Sequence, residues 1–138
     1  VSSYHLFIDE QHPLTYTITD PHQLGVAFNL SGQLNFVTQV ADLRPAGYQL
    51  RGGEITHLST QPAAVAVYAG TDDHIVCLRL GGQLPAMPSG AEFIHNHYVY
   101  SQDGYTVVYT QFRRHYCLFI SRLAMDAFFR RLQQTPGA

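Results

Sequence analysis

Lysine and tryptophan are both missing from this chain of 138 residues. Its eight cations are all arginines, and only Arg113-Arg114 and Arg130-Arg131 are adjacent. A nucleic-acid-binding domain carries a basic stripe. Scattered arginines with a formal net charge of −2 exclude one. Charge of either sign is scarce, at 13% of residues against a usual share of about 25%, which argues against a long polar tail or a coiled coil. No apolar run approaches the ~18 residues of a membrane span, and no signal peptide opens the chain. Cysteine is reduced to Cys77 and Cys117, too few for a disulfide framework. They permit one bridge in an oxidising compartment or two buried thiols.

What is present suits one globular domain with one core. The hydrophobic share, 46%, is ordinary, and the length is that of a single domain. The chain opens on a strand-like segment and ends in Thr135-Pro136-Gly137-Ala138. Residues 1–138 are therefore expected to be one domain excised from a longer protein.

Leu14, Tyr16 and Ile18 alternate with Thr15, Thr17 and Thr19, the period of a half-buried strand. Tyr4 to Asp9 is a second strand candidate, joined to it as a hairpin through Gln11-His12-Pro13. Asp20-Pro21 predicts a helix start, with Leu24, Ala27, Phe28 and Ser31 at helical spacing. Tyr48 to Arg51 and Glu54-Ile55 read as two short strands parted by Gly52-Gly53. Ala63 to Tyr68 and His74 to Leu80 flank a turn at Gly70 to Asp73, and the first is apolar on both faces, as in a central strand. Residues 81–91 read as a loop. Phe93 to Tyr100, Tyr105 to Phe112 and His115 to Ile120 follow as strands, and Ser121 is expected to cap a C-terminal helix whose inner face carries Phe128 and Leu132. The pattern predicts an α+β domain, an antiparallel sheet of about six or seven strands with two helices packed on it. Leu50, Val65, Val67, Val76, Leu78, Val108, Leu118, Ile120 and Phe128 are its predicted core.

The stretch Ala41-Asp42-Leu43-Arg44-Pro45-Ala46-Gly47-Tyr48-Gln49-Leu50-Arg51-Gly52-Gly53-Glu54-Ile55 resembles a signature of transmembrane anti-sigma factors. It has Asp-Leu, a small loop, Gly and an aromatic, then Leu-x-Gly-Gly. Leu24 to Leu34, Ala63 to Tyr68 and Gly104 to Leu132 are similar to the family's helix, small-residue strand, and final strands with helix. The resemblance implies a sensor domain on the extracytoplasmic, periplasmic face of the inner membrane, in a single-pass protein. It also implies a separate cytoplasmic segment that holds an extracytoplasmic-function (ECF) sigma factor. The zinc motif often found in that segment has no counterpart here, so sigma binding falls on no residue of this chain. Family members commonly place Trp or Tyr with small residues in the last strands, where this chain has Phe112-Arg113-Arg114-His115-Tyr116-Cys117. Independently of any family, Gly47 and Gly52-Gly53 suit structural roles in turning and crowded backbone; no phosphate-loop context surrounds them.

Chemistry-bearing residues are few. His95-x-His97 and His115-x-Cys117 each place two ligands on one strand face. Together His95, His97, His115 and Cys117 are a candidate zinc or copper set, whereas His74 and Cys77 fall on opposite faces. Cys117, His95 and Asp103 could be drawn as a hydrolytic triad, but no nucleophile elbow accompanies them. Asp9-Glu10 and Asp72-Asp73 read as solvated turn residues. The expectation is a non-enzymatic sensory or interaction domain, needing no cofactor, with a periplasmic metal-binding module as its rival. Tyr98, Tyr100, Tyr105, Tyr109, Phe112, Tyr116 and Phe119 crowd the last strands, and those left exposed would make a homo-oligomer or an extracytoplasmic partner contact.

Overall fold

The apolar strands pair into one antiparallel sheet. In the computed structural model, which describes residues 4–58, 60–82, 90–94, 97–112 and 115–133, the strands are β1 (Gln49–Leu58), β2 (Gln61–Ala69), β3 (His74–Leu80), β4 (Glu92–Ile94), β5 (His97–Gln102), β6 (Tyr105–Phe112) and β7 (His115–Ser121). Their order is β1-β2-β3-β7-β6-β5-β4. Two meanders, β1 to β3 and β4 to β7, thus meet along a single seam between β3 and β7, where Cys77 opposes Phe119 and Arg79 opposes Cys117. The helices are short: α1 (Pro21–Leu30) and α2 (Met125–Gln133), with a π-helical turn at His5–Asp9 and a 3-10 turn at Arg44–Ala46. The sheet dominates, and the helical share is smaller than an even α+β layering would have.

Each sheet face buries a separate cluster. Leu24 and Phe28 of α1 and Phe128 and Leu132 of α2 join Ala66, Cys77, Val108 and Phe119 on one face. Tyr4 and Phe7 of the N-terminal turn join Val65, Val67, Val76, Leu78, Leu118 and Ile120 on the other. All nine predicted core residues are buried. Full burial of each Val, Leu, Ile or Phe side chain is worth about 1.5–3 kcal/mol. With both faces covered, β2 is buried over most of its length, as its unbroken apolar run requires.

Local chemistry explains the boundaries. The Asp20 carboxylate accepts a hydrogen bond from the Gln23 amide at 2.9 Å, and Pro21 takes the first helical position, where no N–H is needed. Gly47 has φ 90° and closes the 3-10 turn in a left-handed conformation. Between β5 and β6, Asp103 (φ 54°) and Gly104 (φ 84°) supply the two left-handed residues of a tight hairpin turn.

Several sequence expectations are corrected. Tyr4 to Asp9 is a helical turn, closed by the Glu10 amide donating to the His5 carbonyl at 2.9 Å; Tyr4 and Phe7 are buried while His5 and Leu6 face out, a spacing that a short apolar run shares with a strand. Leu14 to Ile18 does alternate in burial but forms only one bridge, Tyr16 to Gly53, so the predicted hairpin does not exist. Gln49 to Ile55 belongs to one continuous strand with a bulge between Leu50 and Gly52, and Tyr48 precedes it. Phe93 to Tyr100 is two paired strands, with Ile94 opposite His97; no glycine or proline announces that reversal. Ser121 ends β7, its hydroxyl accepting from the Leu123 amide at 3.1 Å, and α2 begins at Met125, three residues later than a Ser121 cap predicts. Of the predicted loop 81–91, residues 83–89 lie outside the described residues, as do Arg113 and Arg114.

Candidate functional site

The segment from Val37 into the start of the signature, as far as Arg44, lies across from α1 and leaves a cleft of about 460 Å³, within the size range of small-molecule sites. Asp20, His22, Val26 and Asn29 form its helical wall, and Val37 to Val40 with Asp42 and Arg44 form the opposite wall. The local sequence builds it directly. Asn29 clamps the facing backbone, its amide donating to the Thr38 carbonyl at 3.0 Å and its carbonyl accepting from the Thr38 amide at 2.9 Å. Arg44 grips Asp42 through two parallel bonds, Nε to Oδ1 at 2.8 Å and a terminal nitrogen to Oδ2 at 2.7 Å. These bonds hold the Asp42 carboxyl below its ordinary range and push the Arg44 guanidinium up. Val26 and Val37 stay exposed at the rim. The wall chemistry is that of a recognition cleft, with apolar contacts, fixed charges and oriented amides. Thr38, the hydroxyl residue in the lining, donates to the Gln39 carbonyl rather than to a base.

The remaining signature residues are structural. Tyr16 exchanges backbone bonds of 3.0 and 2.9 Å with Gly53, and a side chain at Gly52 would run into the Tyr16 carbonyl. Buried Tyr48 donates its hydroxyl to Asp73 at 2.6 Å and accepts from Arg131 at 3.2 Å, tying the signature to the β2–β3 turn and to α2. The structural role read for these glycines from the sequence is the one they have.

Of the candidate metal set, His95 lies outside the described residues. Half-buried His97 leads β5 into Tyr98, which opposes Tyr109, so Thr110 of β6 separates its row from Cys117 of β7. His115 shares the Cys117 face but sits against the Phe36 ring at 5.3 Å. Among the described residues, no group of three or more His, Cys, Asp or Glu could hold a metal ion. Cys117 instead meets Cys77, with 3.2 Å between sulfurs, and Arg79 is its cross-strand neighbour. A guanidinium there opposes a bound cation. Asp103 sits in the β5–β6 turn, far along the sheet from Cys117, and forms no triad with it.

Among the seven C-terminal aromatics, Tyr105, Tyr109 and Phe119 are buried, Tyr100 and Tyr116 are half-buried, and the Phe112 side chain lies outside the described residues. Tyr98 is exposed and stacks on Tyr109 at 5.1 Å, beside Phe93, which is 62% exposed. Sequence reasoning missed both the α1 cleft and Arg79. The first left a trace in the charged pairs Asp20/His22 and Asp42/Arg44. The second lay in parity, since Arg79 shares a strand face with Cys77.

No family model, curated protein or solved structure matches the chain. No described helix is long and apolar enough to cross a membrane.

Proposed function

We propose that this chain is the extracytoplasmic sensory or interaction domain of a membrane-bound anti-sigma factor, non-catalytic, regulating transcription by an ECF sigma factor bound elsewhere in the parent protein. The observation that carries it is the fit between signature and cleft. Asp42 and Arg44 of the signature line the cleft, while Gly47, Tyr48, Gly52 and Gly53 anchor the rest of the signature to its neighbours in the fold. A stretch that resembles an anti-sigma signature thus has a coherent job, to build a recognition site on a stable sheet. Occupancy of that site is the signal in this reading, and the exposed Phe93 and Tyr98 are the surface for an extracytoplasmic partner or a second copy.

The test uses the full-length gene in a bacterial host with a reporter for the cognate sigma factor. Alkaline phosphatase fused after Ala138 is expected to be active, and replacing residues 1–138 by an inert domain is expected to change sigma-dependent output. A fusion active only as cytoplasmic β-galactosidase overturns the reading, as does a parent protein that captures no sigma factor.

A further inference from the structure

At the seam between the two meanders, Cys77 and Cys117 sit on diagonal positions of β3 and β7, both buried and both unbridged. Their sulfurs are 3.2 Å apart, and a disulfide requires closure to about 2 Å. Arg79 lies two residues beyond Cys77 on the same face and directly opposite Cys117. Its Nε is buried without an acceptor, and among the described residues no carboxylate pairs with it. A cavity of about 10 Å³, lined by Cys77, Arg79 and Tyr68, opens beneath the segment Thr38 to Ala41. It has room for roughly one water-sized molecule.

We propose that this cluster is a site of reversible oxidation by small hydroperoxides, with Cys117 as the attacking thiolate, Cys77 as the resolving thiol and Arg79 as the cation that stabilises the reacting sulfur. The assignment of roles follows the register, in which Arg79 stands directly opposite Cys117. The sulfur–sulfur hydrogen bond, with Arg79 beside it, holds the Cys117 thiol below its ordinary range. The same sulfur contact, and then burial, push the Cys77 thiol up. Thiolate character and a neighbouring arginine raise a cysteine's reactivity, while burial of both sulfurs limits attack to the smallest hydroperoxides.

The chemistry balances without any other group. The Cys117 thiolate attacks one peroxide oxygen; the S–O bond forms, the O–O bond breaks, and the departing hydroxide or alkoxide takes a proton. The Cys77 sulfur then attacks the Cys117 sulfenic acid; the S–S bond forms, the S–O bond breaks, and water leaves with the Cys77 proton. In sum, two thiols and one hydroperoxide give a disulfide, water and an alcohol or a second water. The bridge would staple β3 to β7, the strand pair along which the two meanders are hydrogen-bonded. This inference stands apart from the anti-sigma reading and survives its failure.

The reduced chain is exposed to hydrogen peroxide, with thiols counted after denaturation and the intact mass recorded. Both thiols are expected to disappear together, the mass to fall by two hydrogens, and dithiothreitol to restore both. Cys77→Ser is expected to stop with one oxygen on Cys117, trapped by dimedone. Arg79→Met is expected to slow thiol loss about tenfold, the effect of one pKa unit on thiolate fraction, and Arg79→Lys to recover most of it. Circular dichroism confirms that each variant is folded. Thiols that survive conditions consuming free glutathione overturn the proposal, as does Cys117→Ser oxidising at Cys77 at the wild-type rate. An unslowed Arg79→Met removes the arginine from it.

Discussion

Replacing Gly53 with alanine tests whether α1 is seated on the sheet as described. A β-carbon at that position lies 2.5 Å from Cζ of Phe28, 2.6 Å from the Val65 carbonyl and 3.1 Å from Cδ2 of Leu24. None of the three can retreat cheaply. Phe28 and Leu24 are buried in the helix-side cluster, and Val65 is backbone of a strand paired on both sides. Overpacking of this kind costs about 1–3 kcal/mol. Alanine restricts the unfolded chain and returns about 0.4–1 kcal/mol of that. The expected net loss is on the order of 1–2 kcal/mol, a fall in Tm of roughly 5 °C for a chain of this size. Gly90→Ala is the control, because its β-carbon would meet nothing within 4 Å, and its Tm should stay within about 2 °C of wild type. Thermal denaturation followed by circular dichroism reads both. A Gly53→Ala protein that melts with the wild type would mean that α1 does not rest on β1.

Val67→Asp places a carboxylate among Tyr4, Val76 and Ile120 in the second cluster and should destabilise by several kcal/mol, read as loss of a cooperative urea transition; an unchanged midpoint would place β2 at an exposed surface. Tyr48→Phe removes the hydroxyl that joins Asp73 and Arg131 and should cost about 1–2 kcal/mol by the same assay. Asp9 accepts hydrogen bonds from Tyr105 at 2.6 Å and Arg122 at 2.7 Å, and the Tyr105 bond foremost holds its carboxyl below the ordinary 3.8. A depressed folded-state value means that its stabilisation is full above the unfolded value and is lost as pH falls through the folded one. The gap in Tm between wild type and Asp9→Asn should therefore be constant above about pH 5 and shrink below about pH 4; a gap independent of pH refutes the assignment.

Much of the sheet is legible in the sequence because strands covered on both faces read as near-continuous apolar runs of strand length. β2, β3 and β7 are buried in this way, and every core residue predicted from them and from β6 is buried. The failures share a cause. Tyr4 to Ile8 is too short for its apolar residues to distinguish a period of 2 from one of 3.6, and a tertiary contact, Tyr4 against Tyr105 at 5.0 Å, decides between them. Leu14 to Ile18 has the alternation but no strand beside it beyond one bridge. The site was less legible than the fold. Asp20, Asn29, Asp42 and Arg44 come from segments whose proximity depends on how α1 folds back, which no local pattern encodes. The histidine pairs drew attention because strand parity aligns them, yet parity fixes the face and not the distance across an intervening strand.

Arg79 makes the last case. Its neighbours on the seam are Cys77, Cys117, Ala64 and Tyr68, and Tyr68 spends its hydroxyl on the Ala41 carbonyl at 2.6 Å. An unsatisfied buried donor costs about 1–3 kcal/mol, and the Nε of Arg79 has no protein acceptor, although the guanidinium also bonds the Cys77 sulfur. A methionine of similar length would fill the same space without that cost. If the arginine serves packing, Arg79→Met should destabilise the reduced protein. If it serves the sulfur, the reduced variant should be as stable as wild type or more so, by about 1 kcal/mol, while its thiols react more slowly. Stability retained with reactivity lost is the trade that functional residues impose. Urea denaturation under reducing conditions, set beside the peroxide kinetics of the same samples, reads both quantities at once. A large fall in stability would return Arg79 to the scaffold and leave the cysteine pair without its activating charge.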